Sequence, residues 1–276
     1  MDKPAASVVF STYNQPDWLE KVLLGFTAQN RRDFEVVIAD DGSNAETRER
    51  IEAMRPGLPF PLQHVWHPDD GFQKCRILNK AISASRSDYL VFTDGDCIPR
   101  NDFVAAHLGL REPGRFLSGG YFKLPMAISR EINAEDISTN RAFSLEWLRT
   151  RGLPFRARDV KLVARGKAAF LLDMVVTTRA SWNGHNASCW KSDLISVNGF
   201  DERMGYGGED RELGERLTNA GLRGKRIRHR AILLHLDHPR SYVREEIVAA
   251  NNAVRAATKT RHSTWTEYGL IKGPGG

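Results

Sequence analysis

The apolar positions of this 276-residue chain change period along its length. Ser7 to Thr12 (SVVFST) is a short β-rich run, and Trp18, Leu19, Val22, Leu23 and Phe26 then recur at helical spacing, which predicts a strand followed by a helix. Phe34 to Ala39 (FEVVIA) is continuously apolar and stops at Asp40-Asp41-Gly42-Ser43. Ala45 to Met54 then reads as a helix capped by Ser43 or Asn44. Leu62 to Trp66 predicts a third strand and Ile77, Leu78, Ala81 and Ile82 a further helix face. Tyr89 to Thr93 (YLVFT) predicts a strand that runs into Asp94-Gly95-Asp96. Strands that are apolar throughout and alternate with helices predict an α/β fold, a mostly parallel sheet with helices on both faces. Beyond about Gly119 the pattern loosens into glycine, proline and basic segments. It recovers with Leu194 to Phe200, a helix from Asp210 to Ala220 and a strand from Ala231 to Leu236. Val243, Ile247, Ala250, Val254 and Ala257 describe one face of a C-terminal helix, and the tail from Lys272 reads as disordered.

Ligands of such sheets sit at the carboxyl ends of the strands. Ser11-Thr12-Tyr13-Asn14, Asp40-Asp41-Gly42-Ser43 and Asp94-Gly95-Asp96 all fall at that edge. In an extended segment Asp94 and Asp96 point the same way, and Gly95 lets a ligand approach the backbone. Two carboxylates side by side repel unless a cation sits between them, and Mg²⁺ or Mn²⁺ prefers such oxygen ligands. The alternative is that the Asp-Gly-Asp turn only ends a strand. Gly207-Gly208-Glu209-Asp210 places two acids before a helix, where the helix N-terminus favours negative charge, so capping and catalytic roles both fit. His235 and His238, in LLHLDH, are structural histidines or metal ligands. Imidazole suits Mn²⁺ better than Mg²⁺, so a histidine completing the Asp94/Asp96 site points to manganese.

Composition narrows the class. With 41% hydrophobic and 27% charged residues the chain can bury one large domain or two fused halves. No stretch of about 18 apolar residues and no cleavable leader is present, so the expected location is cytoplasmic. Cys75, Cys97 and Cys189 are odd in number and form no CxxC pair, which reads as reduced structural thiols. The net charge of +6 is uneven. Arg141 to Lys167 holds Arg141, Arg149, Arg151, Arg156, Arg158, Lys161, Arg165 and Lys167 against Glu146 and Asp159, and Arg223, Lys225, Arg226, Arg228 and Arg230 follow. Such patches favour anionic partners, here a nucleotide, a phosphorylated lipid carrier, an acidic glycan or the inner membrane surface, or else form a solvated face. Nucleic acid is not expected, because the basic residues lack aromatic interleaving and no binding motif appears. VVFSTYNQPDW lacks the glycine-rich loop that nucleotidyl transfer or methyl transfer would want after the first strand.

The ordered segments SVVFSTYN, FEVVIADDGS, GFQKCRILNKAI, YLVFTDGDCIPRNDF, NASCWKSDLISVNGFDE, GYGGEDRELGERL and LLHLDH resemble the family-2 glycosyltransferases of GT-A fold. Among these they resemble most the bacterial chondroitin-polymerase modules and, through GYGGED and the later histidine, the β-1,4-galactosyltransferases. The resemblance covers roughly residues 5 to 240. It implies a Rossmann-like nucleotide-sugar half over 1–118, an acceptor-binding and catalytic half over 119–240, and a C-terminal helix and flexible tail over 241–276. It implies that Ser11, Thr12, Tyr13, Asp40 and Asp41 border the nucleotide base, that Asp94 meets the ribose or a metal-bound water with Gly95 beside it against the donor, and that Asp96 and His235 hold Mn²⁺ or Mg²⁺, with His238 as the substitute. Arg76 or Lys80 is expected to supply the phosphate-side charge, since Ile77 stands where the family often has arginine, and Asn79 is expected to bind the donor. Gly207 and Gly208 are expected against the donor, Asp210 as catalytic base, and Glu209 as its neighbour. The implied activity is inverting transfer from a nucleotide diphosphate sugar to a glycan or lipid-linked hydroxyl in surface polysaccharide or lipopolysaccharide synthesis. The alternative is a non-catalytic sugar-nucleotide- or polyanion-binding protein, which should have lost Asp96 or Asp210; both are present.

Overall fold

The computed structural model describes residues 3–239 and 244–272. Val243 and the tail residues 273–276 lie outside them. Four strand–helix repeats begin the chain: β1 (Ala6–Thr12), α1 (Pro16–Thr27), β2 (Phe34–Asp40), α2 (Ala45–Met54), β3 (Leu62–Trp66), α3 (Lys74–Ala84), β4 (Tyr89–Asp94), β5 (Cys97–Pro99) and α4 (Phe103–Leu110). Then come β6 (Arg115–Ser118), β7 (Gly120–Lys123) and the short helices α5 (Met126–Glu131), α6 (Ala134–Ser138), α7 (Leu145–Thr150), α8 (Val160–Val163) and α9 (Gly166–Val175). β8 (Ala187–Trp190), α10 (Lys191–Ser196), α11 (Glu209–Asn219), β9 (Arg223–Arg226), β10 (Ile232–His235) and α12 (Glu245–Thr260) complete it. Among the described residues no helix is long and apolar enough to cross a membrane.

Seven strands form one sheet in the order β3-β2-β1-β4-β8-β6-β9, and only β8 runs against the rest. The mostly parallel sheet is as the periodicity predicts. Its strands are apolar at successive positions because each face meets its own core. Val8 and Phe10 pack with Leu19, Val22, Leu23 and Phe26 of α1, whereas Val9 packs with Ile77, Leu78, Ala81 and Ile82 of α3. The exceptions are β3 and β9, whose residues are half-buried or exposed because they are the sheet's two edges. Asn44, not Ser43, caps α2 through its side chain, which accepts from the Thr47 amide.

A second sheet, β5-β10-β7, was not expected from the pattern. The Ala231–Leu236 run enters it rather than the large sheet. Asn186 joins the two, donating from Nδ2 to Gly120 O at 2.8 Å and Ala231 O at 3.1 Å. Gly119 has no Cβ because one would fall 1.9 Å from the Asn186 side chain. Buried His107 bridges Asn186 and Ser188, and burial lowers its pKa to about 3.

α11 is fixed from within by a buried i,i+4 pair. Arg216 meets Glu212 at 2.7–3.0 Å and also donates to Val197 O, while Thr258 of α12 donates to Glu212 at 2.9 Å. Both side chains are fully buried, so removing one leaves a bare charge. Arg216→Met should therefore cost about 3 kcal/mol of unfolding free energy, read from urea denaturation, and Arg216→Met with Glu212→Leu should recover much of it. A single variant as stable as the parent would show that the pair does not hold α11.

Candidate active site

Parallel register brings the polar clusters together. Ser11 lies opposite Asp94, and Thr12 opposite Asp40, at the carboxyl ends of β1, β4 and β2. The Gly95 amide donates to Ser11 O at 2.9 Å, and a Cβ on Gly95 would sit 2.8 Å from that oxygen. Above this edge lies a cleft of about 770 Å³. Its lining includes Ser11, Thr12, Tyr13, Asp41, Asp94, Gly95, Asp96, Gly207, Gly208, Glu209, Asp210 and His235.

Asp96 is the focus of one wall. His238 Nε2 is 2.9 Å and His235 Nε2 3.7 Å from its Oδ2. Each histidine donates from Nδ1 to a backbone carbonyl at 2.8 Å, His235 to Leu236 and His238 to Pro239. A carbonyl only accepts, so each Nδ1 keeps its proton and each Nε2 is presented to Asp96, bearing either a lone pair for a cation or a second proton. Backbone tethering of the far ring nitrogen is the usual way a metal-binding imidazole is oriented. Burial alone would raise the Asp96 pKa, but the His238 hydrogen bond and the charge of both rings outweigh it and hold the carboxyl at about 2. The small sheet positions these groups: His235 pairs with Cys97 between β10 and β5, and the Leu236 amide donates to Asp96 O at 2.9 Å. Cys97 completes a ligand-capable cluster with Asp96 and His235. Burial pushes its thiol well above the ordinary value, and it donates to Asp96 Oδ1 at 3.3 Å. The donor set that fits a hard divalent cation is thus Asp96 with His235 and His238.

Asp94 accepts from Lys74 Nζ at 3.0 Å and from Ser11 at 3.4 Å. Burial disfavours the Lys74 charge, but Asp94, Asp210 and Glu209 overcome it and drive its pKa well above the ordinary value. Asp210 moves the opposite way to Asp96. Burial raises it first, Glu209 and Asp94 add to this, Lys74 and the Gly184 amide oppose, and it settles at about 7. Its Oδ1 is buried with no hydrogen-bond partner. Glu209 is turned back on its own loop, accepting from the Gly207 amide at 2.8 Å. Gly207 and Gly208 hold left-handed φ of 106° and 96°, which glycine adopts without strain. α12 grips this loop from outside: Asn251 Nδ2 donates to Gly205 O and Gly207 O, each at 2.9 Å.

Four expected site residues lie elsewhere. Asp40 is fully buried beneath the cleft, bound to His64 at 2.8 Å and the Ser43 amide, while Asp41 reaches the cleft on His67 and the Gln73 amide. Asn79 is buried against Phe200 and Glu202. Arg76 and Lys80 are exposed on α3 and do not line the cleft. Lys74, the first residue of α3, holds the place expected for them. His185, half-buried and edge-on to Tyr121 at 4.5 Å, also lines the cleft and was not foreseen. Burial depresses its pKa to about 4, so it is neutral. Phe72 and Tyr206 meet edge-on at 5.9 Å over the rim.

Residues 7–123 match the family described as glycosyl transferase family 2, and residues 178–239 match the N-terminal domain of galactosyltransferase. The chain is 29% identical over 233 residues to validoxylamine A glucosyltransferase of Streptomyces hygroscopicus subsp. jinggangensis, covering 79% of this chain and 52% of that protein. It is 25% identical to chondroitin synthase of Escherichia coli, covering 78% and 32%. The chain thus spans about half the length, or less, of these curated relatives. Among solved structures it superposes on a mannosyltransferase of Pyrobaculum calidifontis in complex with GDP-Man and Mn²⁺, with TM-score 0.58, 20% identity, and 95% and 63% of the two chains covered. TarS 1–349 of S. aureus in complex with UDP-GlcNAc gives 0.57, 15%, 93% and 69%. These likenesses show the GT-A fold.

If Asp96, His235 and His238 form the cation site, Mn²⁺ titrated into the protein should bind, as followed by loss of the free-ion paramagnetic resonance signal. Asp96→Ala should abolish binding, and His235→Ala or His238→Ala should each weaken it about tenfold or more. Unaltered binding in both histidine variants would exclude them as ligands.

Proposed function

We propose that this chain, which matches glycosyl transferase family 2 over residues 7–123 and the N-terminal domain of galactosyltransferase over residues 178–239 and carries the GT-A fold, is a metal-assisted inverting glycosyltransferase. It would move a hexosyl or N-acetylhexosaminyl group from a nucleotide diphosphate donor, a UDP-sugar, to a hydroxyl of a glycan or lipid-linked acceptor. The setting is cytoplasmic, in assembly of surface polysaccharide or lipopolysaccharide. The observation that carries this reading is the pairing, in one cleft, of Asp96 held ionised at about 2 with Asp210 raised to about 7. Neighbouring carboxylates driven apart in pKa serve different tasks.

Asp41 and Tyr13 border the end of the cleft assigned to the nucleotide base, and Asp94 the ribose. A divalent cation on Asp96, His235 and His238 would neutralise the charge that develops on the departing diphosphate. Lys74 adds fixed positive charge beside it. An acceptor hydroxyl is a poor nucleophile until its proton is taken, and Asp210 has an unpartnered oxygen with which to take it. Glu209, committed to the Gly207 amide, shapes the loop that presents Asp210.

Asp210→Asn should keep donor binding and lose transfer by about 10²–10⁴-fold. In the parent, kcat/KM should rise with pH through about 7, because the base acts only when deprotonated, and the variant should lack this limb. Since the folded-state pKa lies above the ordinary 3.8, stability present at low pH is lost as pH rises towards 7. Asp210→Asn should accordingly melt higher than the parent at about pH 8, an advantage that shrinks towards pH 5. The assay is release of free nucleotide from UDP- and GDP-sugars with and without Mn²⁺. Full transfer by the variant would remove Asp210 as base, and no turnover of any donor by the parent would favour the non-catalytic reading.

A further inference from the structure

α9 is amphipathic in the reverse sense for a helix on a protein surface. It buries Ala169 and the carboxylate Asp173 and turns its large apolar residues outward. Asp173 accepts from the His229 amide and ring at 2.9 Å and from Arg230 at 2.7 Å, which fixes the helix's orientation. Leu171, Met174 and Val175 are then 58%, 60% and 71% exposed, with Phe170 beside them. Phe155, 87% exposed, and Val163 are further exposed apolar residues just upstream in sequence.

The exposed charge of this segment has one sign. Residues 155–180 carry Arg156, Arg158, Lys161, Arg165, Lys167 and Arg179, and two acids only. Both acids are buried and engaged: Asp159 pairs with Arg149, and Asp173 is held as above. No carboxylate of the segment remains to neutralise its six cations. Lys161 instead faces Arg158 and Arg228, and burial together with their charge lowers its pKa.

We propose that the outward face of α9, with its basic flanks, is a docking surface for an anionic lipid bilayer. Apolar side chains on one helix face, ringed by lysine and arginine, suit the boundary between headgroups and acyl chains. A protein partner fits less well, because the segment exposes cations only, whereas protein interfaces place charges of both signs against each other. The inference is independent of the reaction proposed above, and none of these residues lines the cleft.

The test is co-sedimentation with vesicles of phosphatidylcholine alone and of phosphatidylcholine mixed with phosphatidylglycerol, at low and high salt. The parent should pellet with the anionic vesicles and be released by salt. Leu171→Glu/Met174→Glu and Arg158→Glu/Lys167→Glu should each lower partitioning about tenfold or more while melting like the parent, since the altered side chains are exposed. Failure of the parent to bind anionic vesicles at low salt, or undiminished binding by the Leu171/Met174 variant, would overturn the proposal. So would a parent that is dimeric by gel filtration and made monomeric by that variant without ever binding vesicles, which would assign the face to a second copy.

Discussion

Crowding of like charge is the constraint on which this site depends. Asp41, Asp94, Asp96, Glu209 and Asp210 face one cleft, and carboxylates so close in a partly dry environment cannot all ionise without compensation. Among the described residues lining the cleft, Lys74 is the one cation of fixed charge. It is held by Asp94 and stabilised by Asp210 and Glu209. The other acids find separate solutions: Asp96 takes two imidazoles, Asp41 takes His67 and a backbone amide, and Glu209 folds onto its own loop. Asp210 keeps one oxygen without a partner, and burial with the charge of Glu209 and Asp94 raises its pKa to about 7. A division of labour among chemically similar side chains thus follows from unequal access to positive charge.

That inequality is built by the backbone. Three parallel strands end at one level and deliver Ser11, Asp41 and Asp94, but a parallel sheet cannot present histidines to Asp96 from the same direction. The chain turns at Asp96 into β5, which leaves the large sheet and pairs antiparallel with β10. His235 thereby comes within reach of a carboxylate far from it in sequence, with its Nδ1 already committed to Leu236 O. The junction is rigid because Asn186, His107, Ser188 and Tyr89 form a buried hydrogen-bonded chain between the two sheets. The wall that carries Asp96 and His235 is therefore a property of sheet packing rather than of a mobile loop.

Much of the first half was legible because its signals are local. The apolar runs of β1, β2 and β4 each end in polar clusters, and strand ends of a parallel sheet are where ligands sit. The residues misplaced there failed for a geometric reason. Around a helix of 3.6 residues per turn, Arg76 lies about 200° from Lys74, so only the first residue of α3 overlooks the strand ends. Asp40 and Asp41 are adjacent and hence face opposite sides; the former goes to His64 of β3 and the latter to the cleft. The second sheet left no comparable trace, since β5, β7 and β10 are three or four residues long and pair across large separations. His185 lies in an irregular segment where periodicity says nothing.

α12 gives a different lesson. Ile247 and Val254 mark it as an amphipathic helix, Ala250, expected on the same face, is exposed, and Asn251 is a polar residue set into that face. In the structure Asn251 is buried and closes two carbonyls of the Gly205–Gly208 loop. A Cβ on Gly207 would press on Val248 at 3.0 Å and one on Gly205 on Ile247 at 2.7 Å, so the glycines and the helix fit only together. α12 lies outside both family-matched stretches, yet it fixes the loop immediately before Glu209 and Asp210. The position of the candidate base is therefore set by two layers. The sheet and its helices bring α11 to the cleft, and the C-terminal helix α12 holds the loop that presents its first turn.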